Sequence, residues 1–419
     1  MGLQQISAAG TGWKVTFRAL RHRNFRLFLI GQIISLVGTW MQNVAQAWLV
    51  YRLTHSELLL GAAAFCTHAP ILFLGPLGGL AADRYSRGRI VIVTQVFAML
   101  QAGTLAALTL TGAVHVWHVL ALSVVLGAIN AFDMPARQAL FVHMASKEDL
   151  LNAISLNSAI FNMARVLGPA LAGFIVAGLG EGACFLINSL SFLAVIGCLV
   201  VMRLPAVEAH IPSSPWRHLK DGFLYAHHNK PVRALLGMSG AAAVCGAPGV
   251  VLAPVFADAI FHRGSIGLGL LTTSMGLGAV AGTLGLARRA QVAGLVDVIF
   301  ASALLLAAGI AVFAWSPSFW LSMAVMPLIG FGIMRHNASA NTLLQTIVPD
   351  EYRGRIMSLY AMMVVGLMPI GSLGAGVLAE HIGARGTVFV GAVGCLIATV
   401  VFRLHIGPFR HSIETRENA

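Results

Sequence analysis

The sequence predicts an all-α integral membrane protein of twelve transmembrane helices in two six-helix halves. Three observations carry that prediction. Apolar runs near twenty residues long recur along the chain, the length a helix needs to cross a bilayer. Only 10% of the 419 residues are charged while 58% are hydrophobic, whereas a water-solvated domain carries about 25% charged residues. The 45 glycines fit helices that approach closely by van der Waals contact in lipid.

Taken in order, residues 1–24 are polar and basic (Lys14, Arg18, Arg21, Arg23) and read as a cytosolic tail. They lack the small-residue cleavage site of a signal peptide. The first six spans fall near 26–50, 57–82, 90–111, 117–139, 153–178 and 183–202, forming an N-terminal bundle over 25–202. Residues 203–232, with Pro205, Pro212, Pro215 and four His, read as a cytosolic linker. Spans near 233–257, 266–287, 292–314, 318–341, 357–380 and 386–406 form a second bundle over 233–407, and 408–419 is a cytosolic tail.

The basic residues test this order. With the N-terminus inside, 22 of the 27 Lys and Arg fall at the cytosolic end; Arg52, Arg263 and Arg385 fall outside, and Arg165 and Arg335 lie within spans. That asymmetry is what the positive-inside rule requires. It also accounts for the net charge of +12 as a membrane-orientation signal, so no nucleic-acid partner is expected. The five cysteines all lie in apolar segments without metal-ligand spacing, and read as small apolar residues at helix contacts. Neither a metal nor a cofactor is expected.

An internal repeat relates the halves. At an offset of 203 residues Gly75 and Gly79 fall on Gly278 and Gly282, Gly168 and Gly173 on Gly371 and Gly376, and Ser155-Leu156 on Ser358-Leu359. Parallel repeats about an axis along the membrane normal are a transporter architecture with a central cavity.

After the second span stands Gly79-Leu-Ala-Ala-Asp83-Arg84-Tyr-Ser-Arg87-Gly-Arg89. It resembles the signature loop of the major facilitator superfamily, departing at Ser86 where that family has Gly. The resemblance implies a latch (Gly79, Asp83, Arg84, Arg87, Arg89) that holds the outward-facing state against span 11. In the C-half equivalent Leu286 stands opposite Asp83, so one latch is complete. Span 5 carries Arg165-Val-Leu-Gly168-Pro169-Ala-Leu-Ala-Gly173, which resembles the Gly-Pro motif of exporters in that superfamily. Pro169 removes a backbone hydrogen bond inside a span and favours a bend; a purely structural kink is the competing reading. The strings Phe132-Asp-Met-Pro-Ala-Arg-Gln-Ala-Leu140, Lys147-Glu-Asp-Leu-Leu-Asn-Ala153 and Gln345 to Ser358 are similar to the enterobactin-exporter-like branch, the transmembrane secretion effectors. So is the opening Phe25-Arg-Leu with Gly38-Thr-Trp-Met-Gln42. The branch implies a bacterial inner-membrane location and leaves the cargo open.

Polar side chains within spans are costly unless they face protein or water, so they mark the expected cavity. Gln32, Ser35, Thr39, Gln42 and Gln46 share one face of span 1; Ser155, Ser158, Asn162 and Arg165 share one of span 5. Asn337, Asn341 and Gln345 share one of span 10, beside Arg335 and His336. The substrate-cavity set expected is Gln42, Asn43, Gln46, Asn162, Arg165, Arg335, His336, Asn337 and Asn341. Asp133, with Asn130 and Arg137 on span 4, is the expected proton-coupling residue through a pair with Arg165, either permanent or broken by protonation. His336 is either a titrating site or a hydrogen-bonded helix contact.

A GxxxxGK[ST] loop is absent, which argues against an ATP-driven pump, and no HExxH or nucleophile–base arrangement marks an enzyme. The sequence therefore points to a monomeric, proton-coupled exporter of a small amphipathic solute, siderophore or drug-like. An importer of the same fold and a lipid or peptide translocator without proton coupling are the competing readings.

Overall fold

The computed structural model describes residues 17–141, 144, 146, 148–202, 215–287 and 294–406. Lys14, Lys147, Arg288, Arg289, residues 203–214 of the expected linker and the tail 408–419 lie outside the described residues. Among the described residues the secondary structure is entirely helical.

The first six crossings are Arg23–Thr54, Glu57–Arg84, Arg87–Leu110, Val116–Phe141, Leu150–Leu179 and Glu181–Val201. The next four are Lys230–Ile260, Gly264–Leu286, Leu295–Trp315 and Phe319–Ile347. A helical run over Asp350–Ile406 supplies the last two, because the chain reverses at Gly383 (φ 74°, ψ 167°). Gly180, between spans 5 and 6, has the same backbone shape (φ 81°, ψ 171°) and stands 203 residues earlier. A positive φ of this kind strains any residue with a Cβ, so the repeat shares a turn as well as its helices.

Local signals set the boundaries. Ser56 caps span 2 by accepting from the Leu59 amide, and Asn229 caps span 7 by accepting from the Val232 amide; each satisfies an amide the helix cannot. Several helices run past the expected spans, and span 11 begins at Asp350 rather than 357. The latter part of the linker is itself a helix, Pro215–His228, packed on Asp350–Ala361. There Tyr225 stacks on Tyr352 at 4.5 Å, and Arg355 pairs with Asp221 at 3.5 Å. At the corresponding place in the first half, a short helix Arg18–Arg21 is tied to the loop before span 5. Arg18, Arg21 (2.7 Å) and His22 (2.8 Å) all meet the Asp149 carboxylate, and Asn152 accepts from the Ala19 amide.

Equivalent spans pack within each half: 2 on 4 and 3 on 4 in the first, 8 on 10 and 9 on 10 in the second. Span 3 also packs on 6, span 1 on 5 and 6, and spans 9 and 7 on the helical run of spans 11 and 12. The halves meet along two seams, span 5 on span 8 and span 2 on span 11. Each seam joins two glycines. A methyl carbon built at Gly269 would lie 2.7 Å from the Pro169 carbonyl oxygen and 2.9 Å from the Gly173 Cα. One built at Gly61 would lie 2.5 Å from the Ser372 oxygen and 3.0 Å from the Gly376 Cα. Pro169 and Gly173 correspond to Ser372 and Gly376 by the 203-residue offset, so one contact is made twice.

Both contacts lie at the end of the molecule away from the basic loops. There a single apolar cluster spans both halves, including Leu49 and Tyr51 from the first and Leu252, Phe256 and Leu268 from the second. At the basic end each half keeps its own cluster, one around Phe25, Phe28 and Leu140, the other around Leu235, Leu343 and Phe402. Gly75 and Gly79 of span 2 have no neighbour within 4 Å where a Cβ would stand. Among the described residues, apolar packing joins the halves at the far end and stays within each half at the basic end.

Candidate functional site in the central cavity

Arg165 lies midway along span 5, whose backbone there touches span 8; a methyl at Gly276 would come within 3.0 Å of the Arg165 carbonyl oxygen. Its guanidinium carbon lies 5.4 Å from the Trp40 ring of span 1 and 5.2 Å from the Phe161 ring one turn back. Its Nε and Nη1 are shut off from solvent and have no hydrogen-bond partner. Charge at a helix centre costs about 2.5–3.5 kcal/mol on insertion scales; the ring faces return about 0.5–2 kcal/mol each but accept no hydrogen bond from Nε or Nη1. The site is a cation short of an acceptor.

The expected pair between Asp133 and Arg165 is not formed. Asp133 is 5% exposed and bonds within its own half. Arg137, one turn along span 4, meets it at 2.6 and 2.8 Å. Thr94 (2.8 Å) and Gln95 (3.0 Å) of span 3 donate to its other oxygen. The nearer partner on the same helix wins because an i,i+4 pair needs no second helix to be brought into register.

The glutamine face of span 1 also turns away from the cavity. Gln42 is 2% exposed; it donates to Gln101 at 3.1 Å and accepts from Asn188 at 2.7 Å. Gln46 donates to Ser123 at 2.9 Å. These side chains hold spans 1, 3, 4 and 6 together, so the expectation that Gln42 and Gln46 line the cavity is corrected. At about 100° per residue Trp40 stands on the other side of the helix from Gln42, and Asn43 lies on the flank between them, where it is exposed. On span 5, Ser158 and Asn162 share the Arg165 face, with the Asn162 amide donating to the Ser158 carbonyl at 2.9 Å.

Span 10 divides its candidates among three faces. Asn337, Asn341 and Gln345 form one stripe, in which Gln345 donates to Asn341 and Tyr360 of span 11 donates to the Asn337 carbonyl at 2.7 Å. His336 is 1% exposed and lies against Ile299 of span 9, inside the second half and not in the cavity. Arg335, about 200° from Asn337, rests 5.2 Å from the Phe331 ring beside span 8. Its counterpart at the 203-residue offset, Phe132, lines a lateral groove of about 480 Å³ with Val93, Phe97, Ile129 and Arg89. Arg335 therefore belongs to the flank of span 10 rather than to the stripe of asparagines.

The latch residues lie at the basic end. Asp83, Arg84 and Arg89 are exposed, and Asp83 makes no hydrogen bond or ion pair among the described residues. Arg87 reaches the Ala139 carbonyl of span 4 at 3.4 Å. In the Gly-Pro motif, span 5 stays helical through Pro169; Gly168 packs against span 1 at Trp40 and Val37, and Gly173 against span 8. Sequence reasoning missed Trp40 and Phe161; both lie one helical step from residues it singled out, but neither is polar.

A family model described as transmembrane secretion effector matches residues 14–416. The chain is 26% identical to the staphyloferrin A transporter of Staphylococcus aureus, over 90% of this chain and 95% of that one. It is 24% identical to the enterobactin exporter EntS of Citrobacter koseri, over 95% of each. Among solved structures, that of the nucleoside transporter NupG superposes with a TM-score of 0.69 at 16% identity, covering 91% of this chain and 99% of that one.

Proposed function

The chain belongs to the transmembrane secretion effector family, and from that premise we propose that it is a proton-coupled exporter of a small amphipathic solute, working by alternating access. The observation that carries the reading is the pairing of two closed seams at the far end with open space at the basic end, around a mid-membrane arginine that has no acceptor. A two-body molecule hinged in this way exposes its centre to one side at a time.

In this reading the basic end faces the cytosol, the two six-helix bundles over 25–202 and 233–407 rock as bodies, and the protein acts as a monomer. The solute enters from the cytosol and meets Arg165, Trp40, Asn43 and Asn162 of the first half and Asn337 and Asn341 of the second. Rocking opens the Gly61–Gly376 and Gly173–Gly269 seams and brings the latch loop, with Asp83, against span 11. Asp133 carries the coupling proton by a route other than release of Arg165. Its protonation removes the charge that holds Arg137 and weakens the acceptor that Thr94 and Gln95 share, and in this reading that loosening rearranges spans 3 and 4. The siderophore names of two relatives support the cargo class.

The test is cellular accumulation of a catecholate siderophore, a macrolide and a fluorescent cation, with and without a protonophore, in cells carrying the wild type or Asp83→Asn. Lower accumulation abolished by both the protonophore and the substitution supports the reading. Inward accumulation points to an importer, and solute-independent lipid scrambling to a translocator.

A further inference from the structure

Resting on the transport reading, we propose that the solute is an organic anion, its acid group bound by the Arg165 guanidinium and a flat face laid against Trp40 and Phe161. Four observations lead there. First, two nitrogens of Arg165 are enclosed without any acceptor, and a buried donor left unpaired is destabilising until a ligand satisfies it. Second, among the described residues Asp133 is the carboxylate that lies deep within the spans, and Arg137, Thr94 and Gln95 occupy it. The other described carboxylates lie toward the helix ends, as Glu181 does in its pair with Arg52 at 2.6 Å. Among the described residues Arg165 therefore has no carboxylate partner to offset it.

Third, the guanidinium is a planar fork that binds a carboxylate or a pair of phenolate oxygens through parallel hydrogen bonds. The rings at 5.4 and 5.2 Å fix where that fork lies and leave an apolar wall beside it. Fourth, the polar side chains near this face are uncharged: Ser158 and Asn162 beside Arg165 on span 5, Asn43 exposed on span 1, and the Asn337 and Asn341 stripe on span 10. Amides orient hydroxyl, amide or carbonyl groups without adding charge. An organic cation meets repulsion at Arg165 and finds no anion to hold it.

The closing experiment is calorimetric titration of the purified full-length protein in nanodiscs, with no gradient imposed. Salicylate is the probe, salicylamide its neutral counterpart, and sodium chloride and phosphate are the inorganic anions. Salicylate is expected to bind roughly 10- to 100-fold more tightly than salicylamide, the range for a charge-assisted hydrogen-bonded pair. Arg165→Gln should erase that preference and Arg165→Lys should keep part of it, both judged on protein that melts as the wild type does. Trp40→Leu should weaken salicylate and leave any chloride effect unchanged. Equal binding of acid and amide, or an unchanged preference in Arg165→Gln, overturns the proposal. So does equal competition by chloride with no contribution from Trp40, which makes the site one for inorganic anions. Because no transport is measured, failed export with intact salicylate binding counts against the transport reading alone. Gradient-driven export of a neutral or cationic solute without anion binding counts against this proposal alone.

Discussion

Replacing Gly269 by alanine perturbs one conformation and spares the other. The added methyl carbon meets the Pro169 oxygen at 2.7 Å and the Gly173 Cα at 2.9 Å, where carbon contacts relax at about 3.5–4.0 Å. The obstructing atoms are backbone, so no side-chain rotamer can relieve them and the seam must open by roughly 0.6–1 Å. Overpacking of this kind costs about 1–3 kcal/mol. The cost falls only where the far end is closed, so the open-to-closed ratio should rise about 5- to 150-fold. Gly61→Ala, against the Ser372 oxygen and Gly376 Cα, should act in the same direction through the second seam. Gly79→Ala is the counter-test, since nothing stands within 4 Å of its missing Cβ, and the far-end-closed state should tolerate it. Spin labels at the exposed positions Thr111 and Pro317, in a background lacking the five native cysteines, read the far-end separation by double electron–electron resonance. A distance distribution unchanged in both Gly269→Ala and Gly61→Ala, in folded protein, would refute the reasoning.

Three further outcomes are expected. Asp133→Asn leaves the half-buried Arg137 without its counter-charge and should lower stability by about 1–3 kcal/mol in thermal melts; adding Arg137→Met should recover most of the loss. Gln42→Leu strands Gln101 and Asn188 and should cost about 1–3 kcal/mol, while the KM for transported solute stays at its wild-type value because Gln42 faces away from the cavity. At the basic end burial raises the Asp149 carboxyl, but bonds from His22 and Arg18 and the charges of Arg18 and Arg21 outweigh it and hold it below its ordinary range. A carboxyl lowered by folding contributes its full stabilisation above its unfolded value near ~3.9. The contribution is lost as pH falls through the lower folded value. Hydrogen exchange at the Ala19 amide, corrected for intrinsic pH dependence, should stay slow at neutral pH and accelerate only in that acid window. Asp149→Asn should accelerate it already at neutral pH.

The helices and their order were legible because lipid imposes length and apolarity on every span, and the 203-residue offset already paired Gly173 with Gly376. Which face of a polar stripe looks at the cavity was not legible. Gln42 and Gln46 have the same spacing whether they line water or tie spans 1, 3, 4 and 6 together, and periodicity gives a face without its direction. Asp133 and Arg165 were matched as two isolated charges, although Arg137 stood one turn from Asp133 and satisfied it locally. Trp40 and Phe161 carried no signal because an aromatic side chain in a span reads as lipid contact or packing. The Asp149 clamp joins segments about 130 residues apart, a pairing that no local pattern in either segment encodes.

An unbalanced guanidinium near the middle of a bilayer also responds to voltage. The transmembrane field is worth about 2.3 kcal/mol per elementary charge per 100 mV, an upper limit for a site that alternates between the two bulk phases. On the transport reading proposed above, with the basic end in the cytosol and the inside negative, that field favours the empty, positively charged carrier in the conformation seen here. A bound monovalent anion cancels the charge, so the loaded carrier turns outward without working against the field. The membrane potential then falls on the return of the empty carrier, and a cell that depolarises slows the step that resets it for loading.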